Sequence, residues 1–186
     1  ETLARRAGDL CLEIQQDLGE IHYKSKKDVV TRADIASEKL IVEGIRKAFP
    51  MHSIRTEEAG VIEGTDPRYL WIIDPVDGTV NFSRGIPLWG ISIALHFEGK
   101  PLVAAVNLPK LGELYTASKG GGAFMNGKAI HVSRESDSIH AIVSNGDFNV
   151  GDAQKINEQN SRNFAREAVA FERVKCLGSA VIEGCF

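Results

Sequence analysis

Residues 69–82 constrain the fold most, because an apolar run there leads directly into a group of acidic and chain-breaking residues. The run YLWII at 69–73 is bounded by polar residues and proline, which predicts a buried strand. The next nine residues, 74–82, have the sequence DPVDGTVNF. Pro75 cannot continue a hydrogen-bonded ladder, so Asp74 and Asp77 are expected where the strand ends.

The composition of this segment suits a divalent cation bound against phosphate. Carboxylates and a turn carbonyl are hard oxygen ligands of the kind that Mg²⁺ or Mn²⁺ prefers, and such ions complete their shells with water and phosphate. The amides of Gly78 and Thr79 can face the same anion. A plain Asp-Pro-x-Asp-Gly turn is the alternative, since turns recruit these residues for backbone reasons.

Composition and charge favour a soluble globular protein, and a cytoplasmic location is expected. The 186 residues fit one domain by length, and 43% hydrophobic residues suffice for a packed core. A net charge of −3 offers no basic footprint for nucleic acid. The odd number of cysteines lacks C-x-x-C spacing, no histidine pair has H-E-x-x-H spacing, and no apolar run is long enough for a membrane span. Cys11 is expected to be a small buried hydrophobic residue.

Two helices are predicted before the acidic segment. Apolar residues from Leu3 to Leu18 recur at helical spacing, and Gly19 is the expected stop. Thr31 and Asp34 have capping-box spacing before a second helix through Phe49. The apolar face of this second helix is predicted to hold Ile35, Ile41, Ile45, Ala48 and Phe49. Asp34 can therefore have a purely structural role, as an acid in the first helical turn that interacts favourably with the helix dipole.

Downstream of the acidic segment the pattern is that of strands joined by short turns. Residues 89–97 and 101–108 flank a hairpin turn at 98–100, and Asn126-Gly127 is a strong type I′ turn signal. A polar helix near 152–169 and an apolar segment near 174–185 follow, which indicates an α+β protein with helices packed on sheet layers. The cluster Lys24, Lys26 and Lys27 is expected to be a solvated loop, with the alternative that it faces an anionic substrate.

The string DPVDGTVNF resembles the signature of the inositol monophosphatase family, the Mg²⁺-dependent, lithium-sensitive phosphomonoesterases related to fructose-1,6-bisphosphatases and bisphosphate nucleotidases. Five further elements are similar to family elements and occur in the same order. They are VTRAD at 30–34, Glu57-Glu58, GIPLWGISIAL at 85–95, GGGAFMNG at 120–127 and GSA at 178–180. The family usually has Gly before its glutamate pair, where this chain has Thr56.

The resemblance implies a layered αβαβα sandwich with its C-terminal part absent from this chain. The family's late Trp-Asp element, whose Asp completes the metal site, would fall beyond Phe186. The chain is therefore expected to be a truncated single domain, 1–186, with an N-terminal half at about 1–135 and the start of a second half at about 136–186.

The resemblance also implies roles for individual residues. The metal ligands for two or three Mg²⁺ ions, with Mn²⁺ as a substitute, would be Glu57, Asp74, the Val76 carbonyl and Asp77. The catalytic group would be Asp34 and Thr79, which orient the attacking water, with Glu58 in support. The substrate-binding group would be Glu57, Val76, Asp77, Gly78, Thr79, Gly178, Ser179 and Ala180.

The expected reaction is hydrolysis of myo-inositol 1-phosphate in a homodimer, without nucleic-acid or membrane partners. Fructose-1,6-bisphosphatase, histidinol-phosphatase and bisphosphate nucleotidase activities are the alternatives on the same fold. A non-catalytic interaction subunit that kept the fold is the alternative of another class.

Overall fold

A mixed eight-stranded sheet lies at the centre of the computed structural model, which describes residues 1–25, 28–146 and 154–186. The helices are α1 (Thr2–Gln15), α2 (Arg32–Ala48), α3 (Thr79–Ser83), α4 (Gln154–Ala170) and α5 (Ala180–Cys185), with a 3₁₀ turn at Ser138–His140. The strands are β1 (His22–Ser25), β2 (Asp28–Val30), β3 (His52–Thr56), β4 (Gly60–Ile62), β5 (Asp66–Asp77), β6 (Gly90–Phe97), β7 (Lys100–Leu108), β8 (Glu113–Ser118), β9 (Gly122–Met125), β10 (Lys128–Ile130), β11 (Ile142–Ser144) and β12 (Arg173–Lys175).

The predicted antiparallel meander is confirmed. The large sheet has the order β10-β9-β8-β7-β6-β5-β3-β4, and within it only β3 and β5 pair in parallel. Glu98 and Gly99 close the β6–β7 hairpin with φ of 50° and 76°, and Asn126 and Gly127 close β9–β10 with φ of 49° and 79°. Both turns therefore have the two positive φ angles that a type I′ hairpin requires.

Helices cover both faces of this sheet. The side chain of Asn107 on β7 donates a hydrogen bond of 3.0 Å to the Ala4 carbonyl of α1, so this face carries the first two helices. The next residue, Leu108, points to the opposite face because side chains alternate along a strand. It packs there with Ile182 of α5. The arrangement confirms the α+β class.

Helix α1 ends four residues before the predicted stop at Gly19. The amides of Gln16 and Asp17 donate to the carbonyls of Glu13 and Ile14, so the last turn tightens to a three-residue spacing and the helix ends at Gln15. Cys11 is fully buried in the core, as predicted.

The predicted apolar face of α2 is only partly correct. Ile41 and Ile45 are buried, but Ile35 is 56% exposed, and Ala48 and Phe49 are exposed too. The same buried face instead contains three polar residues, Asp34, Ser37 and Glu38. Hydrophobic spacing cannot detect this, because these side chains are buried by hydrogen bonding to other segments rather than by apolar packing.

The second half begins with a small parallel unit. Strands β11 and β12 pair in parallel, and α4 connects them. The predicted polar helix is thus confirmed from Gln154 onward, whereas the segment at 174–185 is a strand followed by a helix. The predicted division of a single domain near residue 135 stays a prediction. Lys26 and Lys27 lie outside the described residues, and no helix in the described part of the chain has both the length and the apolar character needed to cross a membrane.

Candidate metal and phosphate site

A bulge in β5 places the acidic segment at the edge of the regular pairing. Asp74 pairs with Ser92 and Asp77 with Gly90, so two residues of β5 lie opposite the single residue Ile91 of β6. Strand β5 therefore continues to Asp77, past the predicted end, and Pro75 lies in the bulge where no ladder hydrogen bond is required. The hydroxyl of Ser37 on α2 donates to the Pro75 carbonyl at 2.9 Å and holds the bulge against that helix.

Asp34 is confirmed as a capping residue of α2, and it also contacts the acidic segment through its second carboxylate oxygen. Its Oδ2 accepts hydrogen bonds from the Thr31 amide at 2.8 Å and the Thr31 hydroxyl at 2.6 Å, which completes the predicted capping box. Its Oδ1 lies 3.0 Å from the hydroxyl oxygen of Thr79, which donates to it across the site. Asp34 is 1% exposed, and this burial raises its pKa against the opposing effect of its hydrogen bonds.

Thr79 begins the short helix α3 directly after the bulge. Its hydroxyl lies 2.9 Å from the Val76 carbonyl as well as 3.0 Å from Asp34. One hydroxyl proton serves one acceptor at a time, so donation to the Asp34 carboxylate leaves the Val76 carbonyl oxygen available to another partner. Gly78, with φ of 85°, makes the left-handed turn between bulge and helix, and a Cβ there would lie 2.9 Å from the Cβ of Ser179.

Asp77 connects the acidic segment to the GSA loop at 178–180. Its Oδ2 accepts hydrogen bonds from the Ser179 hydroxyl and, at 2.8 Å, from the Val181 amide. Ser179 is buried and is the N-cap residue of α5, whereas Ala180 is exposed. Gly178 adopts φ of 71° at the start of this loop. The structure thus brings together the predicted substrate-binding residues of two segments that are distant in the sequence.

Asn81 forms a second connection to the same loop. Its side-chain amide nitrogen lies 2.7 Å from the Leu88 carbonyl and 2.7 Å from the Leu177 carbonyl, and donates to both. Asn81 is 8% exposed, so these are buried polar contacts. Asn81 therefore connects α3 to the segment at Leu88 and to the segment at Leu177.

Glu57 and Glu58 lie in the turn between β3 and β4, at the margin of the site. Glu57 is exposed and Glu58 is half-buried. The turn is held by Glu38 of α2, whose Oε2 accepts from the Thr56 hydroxyl and, at 3.0 Å, from the Glu58 amide. The side chain at the unusual Thr56 position is therefore part of the contact that fixes this turn.

The carboxylates interact strongly with one another. Desolvation, followed by the negative charges of Asp77 and Glu57, raises the pKa of Asp74 to about 8. In residues 1–25, 28–146 and 154–186, however, no three acidic, histidine or cysteine side chains converge into a complete metal cluster. The two observations agree if the protein contributes few carboxylates and the remaining ligands are carbonyl oxygen, water and phosphate, as is usual for Mg²⁺. Neighbouring carboxylates that repel one another fit a hard divalent cation.

Sequence reasoning missed Ser37 and Glu38 as parts of this site. The available signal was their spacing from Asp34: residues three and four apart on a helix share one face. Three polar residues at this spacing predict a helix face that contacts polar segments.

An α+β fold in which an acidic bulge, a Thr–Asp pair and the GSA loop are in contact has the structural class that the family resemblance predicts. The model of the inositol monophosphatase family matches residues 1–186, and the chain belongs to that family.

Two similar curated proteins are both named Nus factor SuhB. The Nus factor SuhB of Escherichia coli K12 is 41% identical over 145 residues, which are 77% of this chain and 54% of that protein. The Nus factor SuhB of Pasteurella multocida is 36% identical over 187 residues, covering 98% of this chain and 68% of that protein. The chain thus spans about half the length of several of the curated relatives it matches.

Solved structures share the fold over nearly the whole chain. The extragenic suppressor protein SuhB from Bartonella henselae matches with a TM-score of 0.90 at 29% identity, covering 98% of this chain and 70% of that one. The inositol monophosphatase of Thermotoga maritima matches with a TM-score of 0.86 at 33% identity, covering 98% and 68%.

Proposed function

We propose that this protein hydrolyses a phosphate monoester, with Mg²⁺ as its cofactor and myo-inositol 1-phosphate as its favoured substrate. The contact between Thr79 and Asp34, at 3.0 Å beside the acidic bulge, carries the proposal. A hydroxyl group paired with a buried carboxylate, next to acidic groups that repel one another, is the arrangement expected where a water attacks a metal-held phosphate.

The metal ligands in this proposal are Glu57, Asp74, the Val76 carbonyl and Asp77. Bound Mg²⁺ would neutralise charge on the phosphate and make the attacking water more acidic. Two or three ions, or Mn²⁺ in their place, are part of the proposal. Burial, together with repulsion from Asp77 and Glu57, raises the pKa of Asp74, and a bound cation would offset both effects.

Thr79 and Asp34 would orient the attacking water and take its proton. When the Thr79 hydroxyl donates to Asp34 Oδ1, its lone pairs can accept a hydrogen bond from water. Asp34 is held in place by Thr31 through its other oxygen, so the acceptor geometry is set before substrate binds. The Gly78 and Thr79 amides would bind phosphate oxygens, and Glu58 would support the metal-binding turn.

The alcohol part of the substrate would meet the loop of Gly178, Ser179 and Ala180. The Ser179 hydroxyl donates to Asp77, so this loop and the acidic segment form one continuous surface. Fructose 1,6-bisphosphate, histidinol phosphate and bisphosphorylated nucleotides are the alternative substrates. A cytoplasmic homodimer that is inhibited by lithium completes the proposal.

The test is phosphate release from myo-inositol 1-phosphate by the full-length protein, with and without Mg²⁺, alongside Asp77→Asn and Thr79→Val. Both variants should lose about 100-fold or more in kcat/KM, because each loses a contact made to the reacting groups. Lys39→Ala, on the exposed side of α2, is the control. A folded protein that releases no phosphate from this or the alternative substrates would refute the proposal.

A non-catalytic interaction subunit is the second candidate, because the curated relatives cited above are named Nus factor SuhB. Thermal melting with Mg²⁺ and inorganic phosphate separates the two. Ligands that bind only the native state raise its melting temperature by mass action. A shift that requires both ligands favours the enzyme, and no shift with either favours the interaction subunit.

A further inference from the structure

The buried polar face of α2 holds three segments of the proposed site at once. Asp34 contacts Thr79, Ser37 binds the bulge at Pro75, and Glu38 binds the turn after β3. These three residues are 1%, 0% and 8% exposed. One rigid helix thereby sets the relative position of segments that lie far apart in the sequence.

We infer that Glu38 is a positioning residue that sets the affinity of the site for its divalent cation by fixing the backbone around Glu57. The inference rests on the proposed function, because it takes Glu57 as a metal ligand. It goes further in assigning a role to a buried acid that lies outside the ligand and catalytic sets.

The contacts of Glu38 flank Glu57 on both sides. Its Oε2 accepts from the hydroxyl of Thr56, the residue before Glu57, and from the amide of Glu58, the residue after it. The Ala59 amide adds a longer contact of 3.4 Å. The backbone on either side of Glu57 is thus tied to α2, while the Glu57 side chain itself is exposed.

The charge of Glu38 suits this role. A carboxylate oxygen can accept more than one hydrogen bond, and bonds to an ionised acceptor are stronger than those between neutral groups. Successive backbone amides in a turn form a concave site for an anion, and here a carboxylate of the same chain fills it. Glu38 therefore holds the turn through the hydrogen bonds that its Oε2 accepts.

The position of Thr56 supports the same conclusion. Glycine at this place would carry no hydroxyl, and the Glu38 carboxylate would lose a buried donor. In this chain the Thr56 hydroxyl is one of the groups through which Glu38 holds the turn. Thr56→Val removes the donor with little change of shape, and Thr56→Ser retains it.

The experiment measures Mn²⁺ binding to the full-length protein by electron paramagnetic resonance, without substrate. Glu38→Ala should raise the Kd about tenfold or more, as expected when the partner of a metal ligand is lost. Thr56→Val should raise it about fivefold, and Thr56→Ser should stay within about twofold of the wild type. Glu43→Ala removes an acid from the exposed side of the same helix and is the matched control.

Hydrogen exchange of the metal-free protein provides a readout that does not depend on metal binding. The Glu58 and Ala59 amides should lose protection in Glu38→Ala and keep it in Glu43→Ala. If Glu38→Ala does not fold, Thr56→Val carries the test, since it changes a single hydroxyl.

Each outcome decides the inference. Weaker Mn²⁺ binding in Thr56→Val, restored in Thr56→Ser, supports it. A wild-type protein that binds Mn²⁺ and a folded Thr56→Val that binds it equally well refute the role of Glu38 while the proposed function stands. A wild-type protein that neither binds Mn²⁺ nor releases phosphate refutes the proposed function and the inference with it.

Discussion

Replacing Asn81 with Ala is expected to lower the free energy of unfolding by about 2–4 kcal/mol. The Asn81 side chain donates to the Leu88 and Leu177 carbonyls, both at 2.7 Å, and it is 8% exposed. A hydrogen bond between neutral groups contributes about 1 kcal/mol net, and a buried group left without a partner costs about 1–3 kcal/mol. Taking about 1–2 kcal/mol for each of the two lost contacts, within these limits, gives about 2–4 kcal/mol.

Asn81→Asp tests whether donation is the important property. Its carboxylate has nearly the same shape but would face two carbonyl oxygens, which disfavours the charged form and raises the pKa of the new acid in the folded state. The folded variant then binds a proton more tightly than the unfolded chain does. The destabilisation should therefore be large at neutral pH and should diminish as the pH falls toward the pKa of an ordinary Asp, about 4.

The assay is urea unfolding of the full-length protein followed by tryptophan fluorescence. Ser83→Ala is the control, because Ser83 donates only to the Val80 carbonyl at the surface of the same short helix, at 2.9 Å. It should change stability by less than about 0.5 kcal/mol. The reasoning is refuted if Asn81→Ala is as mild as this control.

Three further predictions follow from the site and its surroundings. Gly78→Ala should destabilise the protein more than Gly85→Ala in urea unfolding. Both glycines have positive φ, but a Cβ at Gly78 would lie 2.9 Å from the Cβ of Ser179, whereas a Cβ at Gly85 would have no described atom outside its chain neighbours within 4 Å. Equal effects of the two substitutions would contradict the importance of this contact. Asp74→Asn should raise the melting temperature in EDTA, because it removes the cost of burying an ionisable carboxyl group and its repulsion from Asp77 and Glu57. The same variant should abolish the stabilisation by Mg²⁺, and a lower melting temperature in EDTA would contradict the prediction. Native protein at pH 8 should react with a thiol reagent at the exposed Cys176 and not at Cys11, which is buried and whose pKa is raised to about 12; mass mapping of rapid labelling at Cys11 would contradict it.

Local signals in the sequence predicted the hairpins and the capping box. The turns at 98–100 and at Asn126-Gly127 depend on backbone conformation over a few residues, and they are present as predicted. The capping box of Thr31 and Asp34 depends on a spacing of three residues within one helix turn. Such features need no knowledge of the rest of the chain.

Long-range contacts were harder to predict from the sequence. The buried face of α2 was predicted to include Ile35 and Phe49, which are exposed, because that prediction used apolar spacing alone. The site contact from Asp34 to Thr79 spans 45 residues, and that from Ser179 to Asp77 spans 102. Only the resemblance to a family indicated that these segments belong together.

The sequence by itself determined the chemistry of the acidic segment: two carboxylates, a carbonyl, a glycine that can turn and a threonine hydroxyl, all within a few residues. Tertiary structure decided which of these oxygens face one another, since burial and hydrogen bonding to α2 come from residues distant along the chain. The bulge in β5 shows the difference. Pro75 predicts an interruption of the ladder, but the hydrogen bond from Ser37 that fixes its shape exists only once the helix has packed against the sheet.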